Sequence, residues 1–173
     1  MVRVITLPKP VAITAWSCTG GKKEKEGPLS AGFDIVSSDD YFGQSTWEKA
    51  ETAMQKLSLY KLLEKRKLKA ADIDIALGGD LCNQITSTGF AYRDFAIPMA
   101  GMYGACSTMA LTMATAACLV SGGMVNNAIC GASSHFCTAE RQFRTPLGYG
   151  GKRTPTAQWT VTGAANVFLE REG

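Results

Sequence analysis

Five short apolar segments recur along the chain, and each is bounded by glycine, proline, asparagine or charged residues. Their length and their content of β-branched and small residues are typical of β-strands. We therefore predict five strands, at residues 11–16, 73–79, 97–103, 126–133 and 160–170.

Helical periodicity fills the gaps between the first three of these segments. A long helix is predicted from Ser45, because Ser45 and Glu48 form the S-x-x-E pattern of a capping box. A shorter and less regular helix is predicted at residues 83–95. In the long helix, apolar residues recur every three or four positions and predict one inward-facing stripe of Trp47, Ala50, Met54, Leu57 and Tyr60.

A third helix is predicted at residues 106–121, where every side chain is small, apolar or a hydroxyl. No face of this helix is bulky, so other backbone can approach it closely, and we expect it to be central and buried. Gly122 and Gly123 are candidates to end it. The order β-α-β-α-β-α-β-β predicts an α/β fold with a mixed, mostly parallel five-stranded sheet.

The connection at residues 18–44 is rich in glycine, lysine and serine and is longer than an ordinary link between compact elements. It is either a functional loop or a mobile surface excursion, and the sequence leaves both open.

Composition and charge narrow the classes of function. The chain has 173 residues, of which 46% are hydrophobic and 19% charged, as expected for one globular domain. The net charge is +3, and the densest basic run, at residues 20–27, mixes both signs, so no nucleic-acid partner is predicted. Residues 95–139 carry no charge, but proline, glycine and asparagine interrupt them, which favours a protein core over a membrane span.

Six cysteines and one histidine, His135, give no metal-ligand spacing, so no structural zinc site or other cofactor is predicted. The first 16 residues lack the continuous apolar core of a secretory signal. We therefore expect a cytoplasmic protein with reduced thiols and no disulfide.

Three groups of residues could carry chemistry. Cys106 lies in the first turn of a predicted helix, where unpaired N–H groups favour a thiolate or a bound anion, although it could equally be a small core residue. His135 is either a catalytic base or a hydrogen-bonded structural residue. Arg141 and Arg144 either clamp a carboxylate or form a structural ion pair with Glu140.

Several longer motifs carry a resemblance that runs from about residue 10 to the end of the chain. They are "KKEKEGPL" at residues 22–29, "GGDLCNQ" at 78–84, "YGACSTMA" at 103–110, "SSHFCTAERQFR" at 133–144 and "TVTGAANV" at 160–167. On these motifs the sequence resembles the thiolase-like superfamily and, within it, the stage V sporulation protein AD family of spore-forming bacteria.

The resemblance implies a fold of two similar five-stranded halves, each with a buried small-residue helix, packed back to back. Residues 1–173 correspond to the amino-terminal half, with residues 18–44 as an inserted loop. Cys106 aligns with the nucleophilic cysteine of the superfamily, whereas the catalytic histidines of the second half have no counterpart here. The resemblance therefore implies a protein that is not an enzyme, with Cys106 as a vestigial nucleophile position.

The same resemblance implies binding of dipicolinic acid, or its calcium chelate, for uptake into the developing spore. The implied partners are the other SpoVA membrane proteins and a second copy of the chain, and the implied location is the cytoplasmic side of the spore inner membrane. The residues that we expect to bind the ligand are Lys22, Lys23, Gly104, Cys106, Ser107, Ser134, His135, Arg141 and Arg144.

Two other functions stay open at this point. One is a thiolase-like or ketoacyl-synthase-like acyltransferase that uses Cys106. The other is a scaffold that docks spore membrane proteins through residues 18–44. In addition, a half without its sister would leave the helix at 106–121 uncovered, so we expect the chain alone to dimerise or aggregate.

Overall fold

The computed structural model describes residues 4–143, 156, 158 and 160–172. Its strands are β1 (Val11–Gly20), β2 (Ile35–Val36), β3 (Ile75–Asp80), β4 (Met99–Gly101), β5 (Asn127–Ser134) and β6 (Gly163–Arg171). Its helices are α1 (Lys22–Glu26), α2 (Trp47–Arg66), α3 (Thr86–Asp94), α4 (Thr108–Ser121) and α5 (Phe136–Phe143).

The strands form one mixed sheet in the order β2-β1-β6-β5-β3-β4. Strand β6 runs antiparallel to both of its neighbours, β1 and β5, and the remaining pairs are parallel. The predicted α/β class and mostly parallel sheet are therefore confirmed. Because five strands run in one direction, their carboxyl ends lie at the same edge of the sheet as the first residue of β6.

Residues 18–44, predicted as a long connection that is either a functional loop or a mobile surface excursion, contain regular secondary structure. Residues 18–20 continue β1, α1 follows, and β2 adds a sixth strand parallel to β1. Asp34 stabilises this arrangement, since its carboxylate accepts a hydrogen bond from the Cys18 amide at 3.0 Å and pairs with Lys65 of α2 at 2.5 Å. These contacts tie the segment to the sheet and to a helix.

Helices α2 and α3 cover one face of the sheet, and the predicted stripe of α2 is only partly correct. Thr46, not Ser45, is the N-cap, and its hydroxyl accepts from the Lys49 amide. Ala50 and Met54 are buried as predicted, but Leu57 and Tyr60 are exposed. The buried stripe continues instead through Leu59, Leu62 and Leu63, which pack against Ile129 and Phe168 of the sheet.

Helix α4 covers the opposite face and is buried on one side only. Ala116 and Val120 pack against Leu77, Cys130 and Leu169 of the sheet. Gly123 adopts a left-handed conformation with φ +74°, and the Met124 amide reaches back to the Leu119 carbonyl, so the predicted glycine end is confirmed. The expectation of a fully enclosed helix is not met within the described residues, because its outer side is open.

This open side predicts self-association. Leu111 and Cys118 of α4, with Met124 just after it, are exposed on the apolar face. We expect the chain to form dimers or larger species and to bind a hydrophobic dye, as analytical ultracentrifugation and dye fluorescence would show. Glutamate at Leu111 and Met124 together should reduce both signals, whereas Val4→Glu should not. A monomeric, dye-silent wild-type chain would contradict this expectation.

Gly79 is required where β3 passes the connection between β4 and α4. A Cβ atom at Gly79 would overlap the carbonyl oxygen of Met102, which is backbone and cannot turn aside. We expect Gly79→Ala to lower the free energy of unfolding by about 1–3 kcal/mol in urea denaturation. Gly89→Ala is the matched control, because Gly89 lies in α3 with open space around it, and alanine there should stabilise by about 0.5–1 kcal/mol. Similar losses in both variants would refute the steric explanation.

Candidate functional site

A cavity of about 430 Å³ opens at the carboxyl edge of the sheet, on the face that α4 covers. The floor of the cavity is a row of residues on the sheet. The strand register aligns Cys18 of β1, Ala165 of β6 and Ala132 of β5 in this row. Gly79 of β3 continues the same row. The Met102 carbonyl covers Gly79, so three small residues, Cys18, Ala165 and Ala132, leave a flat space above the sheet that larger side chains would fill.

Cys106 lies in the wall of this space, which we call the Cys106 cavity. A 3-10 turn at Ala105–Ser107 precedes α4, and the Ser107 hydroxyl donates to the Gly104 carbonyl at 2.7 Å. Ala105 has φ +46°, a left-handed conformation that is uncommon for alanine. The tight turn presents the exposed Cys106 thiol at the amino-terminal end of α4.

The rest of the cavity is mainly apolar. Ser134 lies at the end of β5, and its hydroxyl donates to the Val161 carbonyl at 2.6 Å. Among the residues that the structure describes, no lysine or arginine lines the cavity. The remaining lining includes Thr19, Phe33, Leu81, Thr108, Met109, Ser133, Gly163 and Ala164.

The structure brings together some of the predicted ligand-binding residues and separates others. Cys106 and Ser134 both line the Cys106 cavity, and Gly104 and Ser107 form the turn beside it. Lys22 and Lys23 lie on the exposed helix α1, outside the described lining. Arg141 belongs to α5, but its side chain lies outside the described part of the chain, as does the whole of Arg144.

His135 has a structural environment. Its Nδ1 accepts from the Cys137 amide at 3.1 Å, so Nε2 carries the hydrogen and donates to the Asp40 carbonyl at 2.9 Å. The ring is buried, with its centroid 5.1 Å from that of Trp47. Burial lowers the pKa of His135, which keeps it neutral. Both nitrogens are therefore occupied, and His135 is outside the described lining of the Cys106 cavity.

A buried pair of carboxylates, which the sequence analysis missed, lies behind this edge of the sheet. The Ser133 hydroxyl donates to Glu51 Oε1 of α2 at 2.9 Å and lies 3.5 Å from Asp80 Oδ1 of β3. Thr138 of α5 donates to Glu51 Oε2 at 2.8 Å. Asp80 also accepts from the Thr88 hydroxyl and from the amides of Ser87 and Thr88 in the first turn of α3.

The two carboxylates differ in how well their charge is stabilised. Burial, reinforced by the charge of Asp80, raises the pKa of Glu51 to about 7, against hydrogen bonds from Thr138 and Ser133. Burial also raises the pKa of Asp80, but the amides at the start of α3 favour its ionised form. Glu51 is therefore the member of the pair that holds a proton near neutral pH.

The histidine of the chain is not positioned to act on the Cys106 thiol. A cysteine nucleophile needs a base within hydrogen-bond reach, and the chain has one histidine, whose ring nitrogens are both engaged elsewhere. No group of three or more acidic, histidine or cysteine side chains that could hold a metal ion occurs in the described ranges. Within those same ranges, every helix is too short or too polar to cross a membrane.

Comparison with known proteins assigns the chain to a family. The sequence profile of stage V sporulation protein AD matches residues 2–173. The chain is 40% identical over 162 residues to stage V sporulation protein AD of Bacillus subtilis (strain 168), covering 94% of this chain and 48% of that relative. It therefore spans about half the length of that relative.

Solved structures with the same fold are far more distant in sequence. OleA of Xanthomonas campestris aligns with 95% of this chain and 57% of its own, with a TM-score of 0.60 and 12% identity. The 3-oxoacyl-[acyl-carrier-protein] synthase III of Aquifex aeolicus aligns with 70% of this chain and 39% of its own, with a TM-score of 0.56 and 15% identity. The fold is thus thiolase-like, and the chain belongs to the stage V sporulation protein AD family.

Proposed function

We propose that the chain binds dipicolinic acid as its calcium chelate in the Cys106 cavity, for uptake into the developing spore, and that it catalyses no reaction. The observation that carries this proposal is the row of small residues formed by Cys18, Ala165 and Ala132. This row makes a flat apolar floor that suits an aromatic ring. The sporulation name of the related protein supports a spore-specific ligand.

The charge of the described lining favours the chelate over the free acid. Free dipicolinate is a dianion, and burying it without a cation is costly. The described lining offers no lysine or arginine, whereas the one-to-one calcium chelate has no net charge. The amino-terminal end of α4 can meet the carboxylate oxygens at the edge of the ring.

Isothermal titration calorimetry with three ligands tests this proposal. We expect calcium dipicolinate to bind, free dipicolinate to bind at least about tenfold more weakly, and picolinate, which has a single carboxylate, to give no measurable heat. Cys106→Ala should retain the affinity for the chelate within about threefold, because no covalent bond to sulfur forms. Absence of heat with both dipicolinate forms would refute the proposal.

We further propose that the protein works as a homodimer with the other SpoVA membrane proteins at the cytoplasmic face of the spore inner membrane. The open apolar side of α4 supports this proposal, because exposed apolar surfaces of this kind are commonly covered by another protein. We expect those membrane proteins to co-purify with the wild-type chain. We expect the co-purification to be lost when glutamate replaces Leu111 and Met124 on the open side of α4.

An acyltransferase is the second candidate function, because the Cys106 thiol is exposed in a cavity of a fold shared with ketoacyl synthases. It requires iodoacetamide to label Cys106 faster than Cys118, which is also exposed, and requires acyl-coenzyme A to protect Cys106. Under the binding function, the two cysteines are labelled at similar, slow rates.

A further inference from the structure

A groove of about 730 Å³ lies on the outer surface between α2 and α3, on the far side of these helices from the sheet. Leu57 and Tyr60 of α2 and Phe90 of α3 line it, with exposed fractions of 38%, 63% and 48%. Monomeric proteins seldom leave a contiguous patch of large apolar side chains in water. Leu57 and Tyr60 also belong to the predicted apolar stripe of α2, and both are exposed.

Cationic side chains frame this groove. Lys49 and Lys56 of α2 and Arg93 of α3 line it, together with a single carboxylate, Asp94. Asp94 pairs with Lys56 and, at 3.0 Å, with Arg93, so one negative charge is shared between two cations. The Arg93 guanidinium also lies over the Phe90 ring, 4.6 Å from its centroid. The groove thus combines an apolar floor with a positive rim.

We propose that this surface, the α2–α3 groove, docks an acidic amphipathic helix of a partner protein. An apolar floor takes the i, i+3, i+4 and i+7 side chains of such a helix. The surplus of positive charge on the rim selects a partner whose polar flanks are acidic, since electrostatic complementarity steers association and rejects like-charged partners. The site is separate from the Cys106 cavity and shares no lining residue with it.

Selection from displayed helical peptides tests the proposal with the full chain. The library has about 14 residues per peptide, leucine or phenylalanine at the i, i+3, i+4 and i+7 positions, and glutamate, lysine or glutamine elsewhere. We expect the enriched peptides to be rich in glutamate. Enrichment of lysine-rich or uncharged peptides, or no enrichment, would overturn the proposal.

Variants of the groove show whether the selected peptides bind there. Phe90→Glu and Tyr60→Glu, on different helices, should each weaken binding at least about tenfold, while Leu29→Glu on another surface should change it less than about twofold. Each variant is checked by circular dichroism, and loss of fold in one leaves the other as the test. Unchanged binding in a folded groove variant would refute the site.

Reversing the charge of the rim tests the preference for acidic partners, and two further measurements test a membrane and a second copy of the chain as alternative occupants. Lys49→Glu combined with Arg93→Glu should reverse the preference from glutamate-rich to lysine-rich peptides. Vesicles of phosphatidylserine and phosphatidylcholine should bind the wild type and Phe90→Glu equally. Loss of vesicle binding in Phe90→Glu would instead assign the groove to a membrane surface. A smaller oligomer in Phe90→Glu than in the wild type would assign the groove to a second copy of the chain. Either result overturns the proposal.

Discussion

Replacing Glu51 with glutamine is expected to stabilise the protein above neutral pH and to flatten the dependence of its stability on pH. Each pKa unit is worth about 1.4 kcal/mol, so a shift of the Glu51 pKa from 4.5 to about 7 corresponds to about 3 kcal/mol in favour of the protonated form. Glutamine keeps the neutral shape of the protonated acid and cannot ionise.

The direction of this effect follows from proton binding. Between pH 4.5 and about 7, the folded state holds the Glu51 proton more tightly than the unfolded state does. The free energy of unfolding of the wild type therefore falls as the pH rises through this window and then levels off. The charged groups that face Glu51 are Asp80 of β3 and Glu48 of its own helix, and both oppose its ionisation.

Urea denaturation of wild type and Glu51→Gln between about pH 5 and pH 8 measures this effect. The variant should be the more stable protein by up to about 3 kcal/mol at the upper end and should differ little at the lower end. Glu26→Gln, at an exposed position, serves as the control and should follow the wild type. A variant that is less stable than wild type at pH 8 would contradict a protonated Glu51.

Filling the Cys106 cavity is expected to abolish ligand binding without unfolding the protein. Ala165 stands at the centre of the floor, between Cys18 and Ala132. A phenylalanine ring there would occupy the space assigned to the aromatic ring of the ligand. We expect Ala165→Phe to weaken binding of calcium dipicolinate at least about 100-fold, while the free energy of unfolding changes by less than about 1 kcal/mol because the side chain enters open space.

The matched control is Ala114→Phe, which adds the same ring on the exposed side of α4. It should bind calcium dipicolinate with wild-type affinity in calorimetry. If Ala165→Phe stays folded and binds as tightly as wild type, the ligand occupies another surface and the Cys106 cavity is not the site.

Local sequence patterns correctly predicted the features that depend only on residues close together in the chain. Gly122 and Gly123 mark the end of α4, and the small residues of that helix indicated a close approach to other backbone. The stripe of α2 was assigned incorrectly after Met54, because Leu57 and Tyr60 continue the three-to-four periodicity while the core uses Leu59 and Leu62. Periodicity alone cannot choose between two apolar faces of one helix.

The candidate site was harder to predict, because its residues come from segments that are far apart in the sequence. Cys106 and Ser134 could be placed near one another because Cys106 follows β4 and Ser134 ends β5, two strands that run in the same direction. The pair of Glu51 and Asp80 could not, since their shared partner Ser133 is 82 residues from Glu51 and 53 from Asp80. The only sequence signal was a glutamate next to the buried Ala50 stripe. Helix α5 was also missed, because about two amphipathic turns directly after a strand resemble a loop.

Intact-mass spectrometry of the protein incubated with acyl-coenzyme A tests the central claim most directly, namely that the Cys106 cavity holds a ligand and does not transfer acyl groups. The account predicts an unmodified mass at every time point, with calcium dipicolinate bound and released intact. An acyl adduct on the sulfur of Cys106 that forms with release of coenzyme A and then disappears during turnover would contradict it.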